Sequence, residues 1–304
     1  MAAEARAIRK FQVTTDTAGI CNLARRSTPT FGSIVLELLP AEPYSGRDPR
    51  NVHSLGITLG RQRGVHAIGC DTRVDFDAWP GVLAYTPPGI DVFSESPAGG
   101  EYLLARWESP LEGTDAVPIA RRLEFPGHRA AMALARSIRH ALFTECPDPL
   151  ALEQLTLQFI GLRPLEPAVR TPPSHASLGG VLDRISIEYT HSLTLSDLAA
   201  SVNQTPLQFL REFTRLVGMT PHAYITETRL QACRRMLEHT NAPLATIAAE
   251  CGFSHQSHMG SAFRRILGVT PGEYQRAHPF AAKRRMPPLP SGSSRHPDTR
   301  RDRR

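Results

Sequence analysis

The last third of the chain carries an internal duplication. Gly218-Met219-Thr220-Pro221-His222-Ala223-Tyr224 returns as Gly268-Val269-Thr270-Pro271-Gly272-Glu273-Tyr274, each matched residue 50 positions later. Upstream, Phe209, Phe213 and Leu216 are echoed at the same spacing by Met259, Phe263 and Ile266. Leu198-Ala199-Ala200 returns as Ile247-Ala248-Ala249 at a spacing of 49, which puts one extra residue in the second turn. A repeat of short apolar segments broken by tight turns is what two copies of a helix-turn-helix would produce.

Start and stop signals fall where such a unit needs them. Thr194 with Asp197 three residues on resembles a capping box, in which side-chain oxygens satisfy free first-turn amides. Thr205-Pro206, Thr220-Pro221 and Thr270-Pro271 each set a cap residue before a proline, which has no amide to leave unbonded at the first helical position. Gly218, Gly252 and Gly268 follow apolar periodic segments, where a left-handed residue closes a helix. The pattern predicts helices near 178–190, 195–202, 206–217, 221–239, 244–251, 255–267 and 271–277.

In the helix over 206–217, Phe209, Phe213 and Leu216 follow the i, i+4, i+7 rule and line one face. Leu207, Gln208, Arg211 and Arg215 point elsewhere and form the candidate reading face. In the helix over 255–267, Met259, Phe263 and Ile266 are the inner stripe, leaving Gln256, Ser257, His258, Ser261 and Arg264 outward. The connecting helix over 221–239 is about 28 Å long at 1.5 Å per residue. Such a strut suits two reading helices held near one turn of DNA apart, about 34 Å.

The region from about 178 to 277 resembles the DNA-binding domain of the AraC/XylS family of bacterial transcription regulators. The resemblance rests on Leu198-Ala199, Phe209-Leu210-Arg211-Glu212-Phe213, Arg229-Leu230-Gln231-Ala232 and Ile247-Ala248-Ala249-Glu250-Cys251-Gly252-Phe253. It continues through Ser257-His258-Met259, Ala262-Phe263-Arg264-Arg265 and the second Gly-x-Thr-Pro-x-x-Tyr. It implies that the two reading helices enter successive major grooves of promoter DNA, with Arg211 matching a family arginine. An arginine forked onto guanine contributes about 1–3 kcal/mol of discrimination. Gly260-Ser261 departs from the family, whose members commonly carry a polar residue followed by arginine there. The first unit is therefore expected to read bases more strictly than the second.

The formal net charge of +6 does not itself argue for nucleic acid. From His278 onward eight Lys or Arg stand against Asp298 and Asp302, while the preceding 277 residues balance 27 basic against 27 acidic. Within 178–277 there are nine Arg, no Lys and eight acidic residues. Affinity must come from placement: Arg211, Arg215, Arg234, Arg235, Arg264 and Arg265, with helix N-termini able to hold phosphates. The Pro-, Ser- and Arg-rich tail over 278–304 lacks an apolar face and is expected to be disordered. It would add sequence-independent attraction to DNA if it neutralises phosphates.

The first half has a different texture. Ile34, Leu36 and Leu38 alternate, as do Leu55, Ile57 and Leu59, and short apolar runs recur at 65–68, 82–85 and 102–107. Pro and Gly clusters at 86–89 and 96–100 separate them, the pattern of a small barrel or jelly roll. The stretch Gly81-Val82-Leu83-Ala84-Tyr85-Thr86-Pro87-Pro88-Gly89 is similar to the cupin-type sensor domains attached to this family. Two helical segments follow, about 127–145 with the stripe Leu134, Ile138 and Leu142, and about 149–162 with Leu152, Leu155, Phe159 and Leu162. They either cover the sheet or, as the resemblance implies, mediate dimerisation. A Pro-rich connector over 163–177 reads as a stiff, extended link between separate domains.

The fold class expected is therefore α+β in two domains. Residues 1–162 form a cupin-like β-barrel or jelly roll with trailing helices over 127–162, and 178–277 form an all-α double helix-turn-helix with motifs at about 195–217 and 244–267. His53 and His66 are isolated, and no His-x-His pair offers the converging ligands that a cupin metal centre needs. No Gly-x-Ser-x-Gly elbow or Gly-rich phosphate loop occurs either. The expectation is a regulator and not an enzyme, with no cofactor and no metal; the opposing reading is a metal-dependent cupin enzyme fused to a DNA-binding module. Five scattered cysteines, no apolar run behind the N-terminal charges and no run of about 18 apolar residues point to a cytoplasmic protein without a membrane partner. The resemblance further implies RNA polymerase as a partner, an activating role, a small-molecule effector and a homodimer. A ligand-independent regulator is the remaining alternative.

Overall fold

The computed structural model describes residues 26–27, 34–108, 121–144, 147–163 and 176–278. The first half is built on two antiparallel sheets. One has the order β1 (Arg26–Ser27), β2 (Ile34–Leu39), β9 (Tyr102–Trp107), β4 (His53–Thr58), β7 (Leu83–Thr86) and β10 (Leu123–Phe125). The other runs β3 (Tyr44–Asp48), β8 (Val92–Ser96), β5 (Gln62–Ile68) and β6 (Val74–Ala78).

Register decides what each face of the six-stranded sheet does, because side chains alternate along a strand. Leu36 pairs with Ala105, Ala105 with Leu55 and Leu55 with Tyr85, while Leu38, Leu103, Ile57 and Leu83 form the next row. All eight are buried. This apolar face is covered by α1 (Arg129–Phe143) and α2 (Pro149–Gly161), whose Ala135, Ile138, Leu152 and Phe159 share its core. The opposite face is polar: Arg106 pairs with Glu37 in its own sheet and reaches Asp48 of the other sheet at 2.6 Å.

The second half is helical: α3 (Ala176–Glu188), α4 (Leu195–Ala200), α5 (Pro206–Val217), α6 (Pro221–His239), α7 (Leu244–Glu250), α8 (Gln256–Leu267) and α9 (Pro271–Ala277). The expected cap chemistry is present. Thr194 with Asp197, Thr205 with Gln208 and Thr270 with Glu273 each close a reciprocal capping box, and Gly218 and Gly268 end α5 and α8 in the left-handed conformation. The extra residue of the second unit lies in its turn. The left-handed residue is Asn203 in the first unit, three positions before α5, and Gly252 in the second, four positions before α8.

The two described halves are packed together. One continuous apolar cluster runs from the sheet through α1 into α5, α6 and α8. Gly127 and Gly81 let the chain at the sheet edge approach the end of α5 so closely that an added Cβ would meet the carbonyls of Arg215 and Val217. Both glycines also have positive φ, a conformation that side chains disfavour. Helix α3 begins at Ala176, inside the connector expected over 163–177. The rest of that connector, the basic tail from 279 and the cysteines at 21 and 146 lie outside the described residues. Cys233 and Cys251 are buried, and Cys70 is exposed.

Candidate nucleic-acid interface

Helix α5 starts on Thr205, whose hydroxyl accepts from the Gln208 amide, and its buried residues Phe209, Phe213, Leu216 and Val217 fix its rotation. Phe213 is fully buried against Phe209 and Tyr224. Removing such a ring costs about 3–5 kcal/mol. That anchoring turns Leu207, Gln208, Arg211 and Arg215 outward, and all four are exposed. Leu207 is 56% exposed. Helix α8 is fixed in the same way by Met259, Ala262, Phe263 and Leu267, leaving Gln256, Ser257, His258, Ser261 and Arg264 exposed. His258 lies edge-on to Phe253 and within 3.1 Å of the Ser254 hydroxyl. The nine residues expected on the two reading faces thus lie on solvent-facing sides of α5 and α8. Gly260 has open space where a side chain would begin.

The six arginines expected to supply affinity divide. Arg211, Arg215, Arg235, Arg264 and Arg265 are exposed. Arg234 is not: it is buried, and its Nη1 donates to Glu101 at 2.6 Å while its Nε donates to the Tyr274 hydroxyl. Its place is within the protein, where it satisfies one of the two oxygens of Glu101, a fully buried carboxylate on the loop before β9.

Glu101 is the centre of a network that sequence reasoning missed. Its other oxygen accepts from Arg139 of α1 at 2.6 Å, and Arg139 grips Glu227 of α6 with both Nη atoms at 2.6 and 3.0 Å. Burial pushes the Glu101 carboxyl up, but Arg234 and Arg139 together outweigh it and hold it below the usual carboxylate range. Burial pulls the Arg139 guanidinium down, and Glu227 and Glu101 more than restore it. The legible signal was a charge on an apolar stripe. Arg139 falls four residues after Ala135 and one after Ile138, and Glu227 lies three residues from both Tyr224 and Leu230. A second tie joins the four-stranded sheet to α3, where Asp183 accepts from Arg61 at 2.9 Å and from Arg63 at 2.6 Å.

Residues 198–277 match a family model described as a helix-turn-helix domain. An AraC-like transcription regulator of Streptomyces antibioticus is 37% identical over 90 residues, 30% of this chain and 29% of that protein. The C-terminal domain is of the AraC type. The RCS-specific transcriptional activator RclR of Escherichia coli is 33% identical to this chain over 101 residues, 33% of this chain and 36% of its own length. The DNA-binding domain of AdpA, solved in complex with a target DNA, is 27% identical and overlaps 36% of this chain and 96% of its own, with a TM-score of 0.33. The chain thus matches about a third of the length of these curated relatives. No described helix is long and apolar enough to cross a membrane.

Proposed function

We propose that the chain is a sequence-specific DNA-binding transcription regulator that reads promoter DNA with α5 and α8. The observation that carries this reading is that nine residues, Leu207, Gln208, Arg211, Arg215, Gln256, Ser257, His258, Ser261 and Arg264, stand exposed on two helices of an AraC-type domain whose other faces are buried. Arg211 suits bidentate contact with guanine, Gln256 with adenine, and Leu207 the thymine methyl group, while Gln208, whose Oε1 caps α5, keeps its Nε2 as a donor. Arg215 and Arg235 suit phosphates, which position the protein without specifying sequence. Residues 178–277 would be the DNA-binding domain and 1–162 a cupin-like sensor. The polar face between the two sheets, where Tyr44 bonds Gln62 and Ser94 and Arg106 meets Glu37 and Asp48, suits a polar effector. Activation, contact with RNA polymerase and homodimer formation extend the same reading by resemblance to the family. The test is binding of the full chain to fragments of its native chromosome, followed by fluorescence anisotropy. One fragment bound at least a thousandfold more tightly than random DNA supports the reading; equal affinity for all fragments overturns it.

A further inference from the structure

A cleft of about 520 Å³ opens where α1, α6 and α8 meet. Helix α1 contributes Arg136 and His140, α6 contributes His222, and α8 contributes Arg265, with Ala223 and Ile266 as apolar surface between them. The lining holds two guanidiniums and two imidazoles and no carboxylate. Its volume falls in the range of small-molecule sites, about 300–1,000 Å³.

The positive charge of this cleft is only partly offset by its surroundings. The carboxylate that Arg136 reaches, Glu227 at 3.5 Å, is already held by both Nη atoms of Arg139 at 2.6 and 3.0 Å. Arg265 is exposed and has no ion pair among the described residues. Two guanidiniums on one cleft repel each other until an anion is placed between them, and a guanidinium offers carboxylate or phosphate a matched pair of donors. The His140 ring is exposed and lies beside the end of α8, where an added Cβ on Gly268 would come 3.0 Å from its Nε2.

We propose that this cleft binds a small organic anion carrying a carboxylate or phosphate group, gripped by Arg136 and Arg265 with His140 and His222 as further donors. Its walls come from both halves of the chain. An anion seated there favours the packed arrangement over any in which the halves part, which is the only way a ligand shifts such an equilibrium. Arg265 follows Arg264 on the helix proposed to read DNA, so occupancy would bear directly on the second reading unit. The site itself stands apart from the DNA-binding reading: a chain that ignored DNA would still bind the anion.

The test is titration of the full chain with sodium phosphate and, separately, sodium octanoate, in chloride buffer at constant ionic strength. Calorimetry measures binding, and the imidazole resonances of His140 and His222 locate it. Saturable binding of at least one probe, with shifts at both histidines, is expected. Arg136→Gln and Arg265→Gln should each weaken it by about tenfold, the loss of one charged hydrogen bond. Response to phosphate alone identifies a phosphate ester as the ligand class, and response to octanoate alone a carboxylic acid. An unsaturable response to both probes, or saturable binding that both variants retain, overturns the proposal. Should Arg136→Gln lower the melting temperature through Glu227, the exposed Arg265→Gln carries the test.

Discussion

The two helix-turn-helix units share a pattern and hold it by different means. In the first, α4 and α5 both start on capping boxes, Thr194 with Asp197 and Thr205 with Gln208. In the second, α7 starts after Pro243 and α8 after His255, neither with a side-chain cap bond, and α8 carries Gly260 in its interior. A cap contributes about 1 kcal/mol and an interior glycine costs about 0.5–1 kcal/mol relative to alanine, so the second unit is locally the weaker. Its compensation is tertiary. Helix α8 packs on α1, and α6 beside it is tied to the first half through Glu227, Arg139, Glu101 and Arg234. Both units pack on the neighbouring half, but only the first adds its own caps to that packing.

The largest effect should come from the network. Replacing Glu101 by Gln leaves Arg139 with Glu227 alone and Arg234 buried without its carboxylate. Breaking a buried ion pair by removing one partner costs about 3–5 kcal/mol, measurable by denaturant unfolding of the full chain. Amide exchange under native conditions sharpens the comparison, since α8 should lose protection well before α5. Equal loss in both helices would show that the second unit does not depend on the network.

Next in size are the reading residues. Arg211→Ala is expected to cost about 1–3 kcal/mol of preference for the bound promoter fragment over a base-substituted copy. Arg264→Ala should cost less, because Ser261 lacks the reach of the arginine common in the family and the second unit carries less base recognition. The two losses are read from paired anisotropy titrations. An equal loss from both variants would remove the asymmetry in reading while leaving the asymmetry in stability.

This division also explains what was legible in the sequence. Helices α5, α6 and α9 begin and end where the cap, proline and glycine signals placed them, because those signals are local and act within one turn of chain. The buried stripes Phe209–Phe213–Leu216 and Met259–Phe263 were equally plain from periodicity. The union of the two halves was not, since Glu101, Arg139, Glu227 and Arg234 are separated by as many as 133 positions and no local rule pairs them. Charge counting misplaced Arg234 for the same reason: a tally of arginines carries no information about which of them faces a buried carboxylate.

Local stability offers smaller and more exact comparisons. Thr205→Ala removes the cap of α5 and should destabilise by about 1 kcal/mol. Gly260→Ala should stabilise by about 0.5–1 kcal/mol, because the added methyl meets nothing and the helix loses a flexible residue. Both shifts are read from unfolding midpoints at constant denaturant slope. A destabilising Gly260→Ala would mean that the second unit needs its glycine, and the contrast between the units would then reflect a requirement of α8 itself.

Acid should produce the smallest difference between the units. The Asp197 carboxyl is held below its ordinary range by the Thr194 hydroxyl and then by the Thr194 amide. A group depressed on folding stabilises above its unfolded value, and that contribution is lost as pH falls through the folded one. Lowering the pH from 5 to about 2 should therefore loosen the start of α4, with the Cα resonances of 195–197 moving toward coil values. Helix α7 has no carboxylate at its cap, so residues 244–246 should show no matching step. Glu101 is also depressed, by Arg234 and Arg139 acting against burial, and its protonation would loosen the whole interface at once. A single shared midpoint for α4 and α7 would thus mean that acid acts through the network, and separate behaviour that the caps set the difference between the two units.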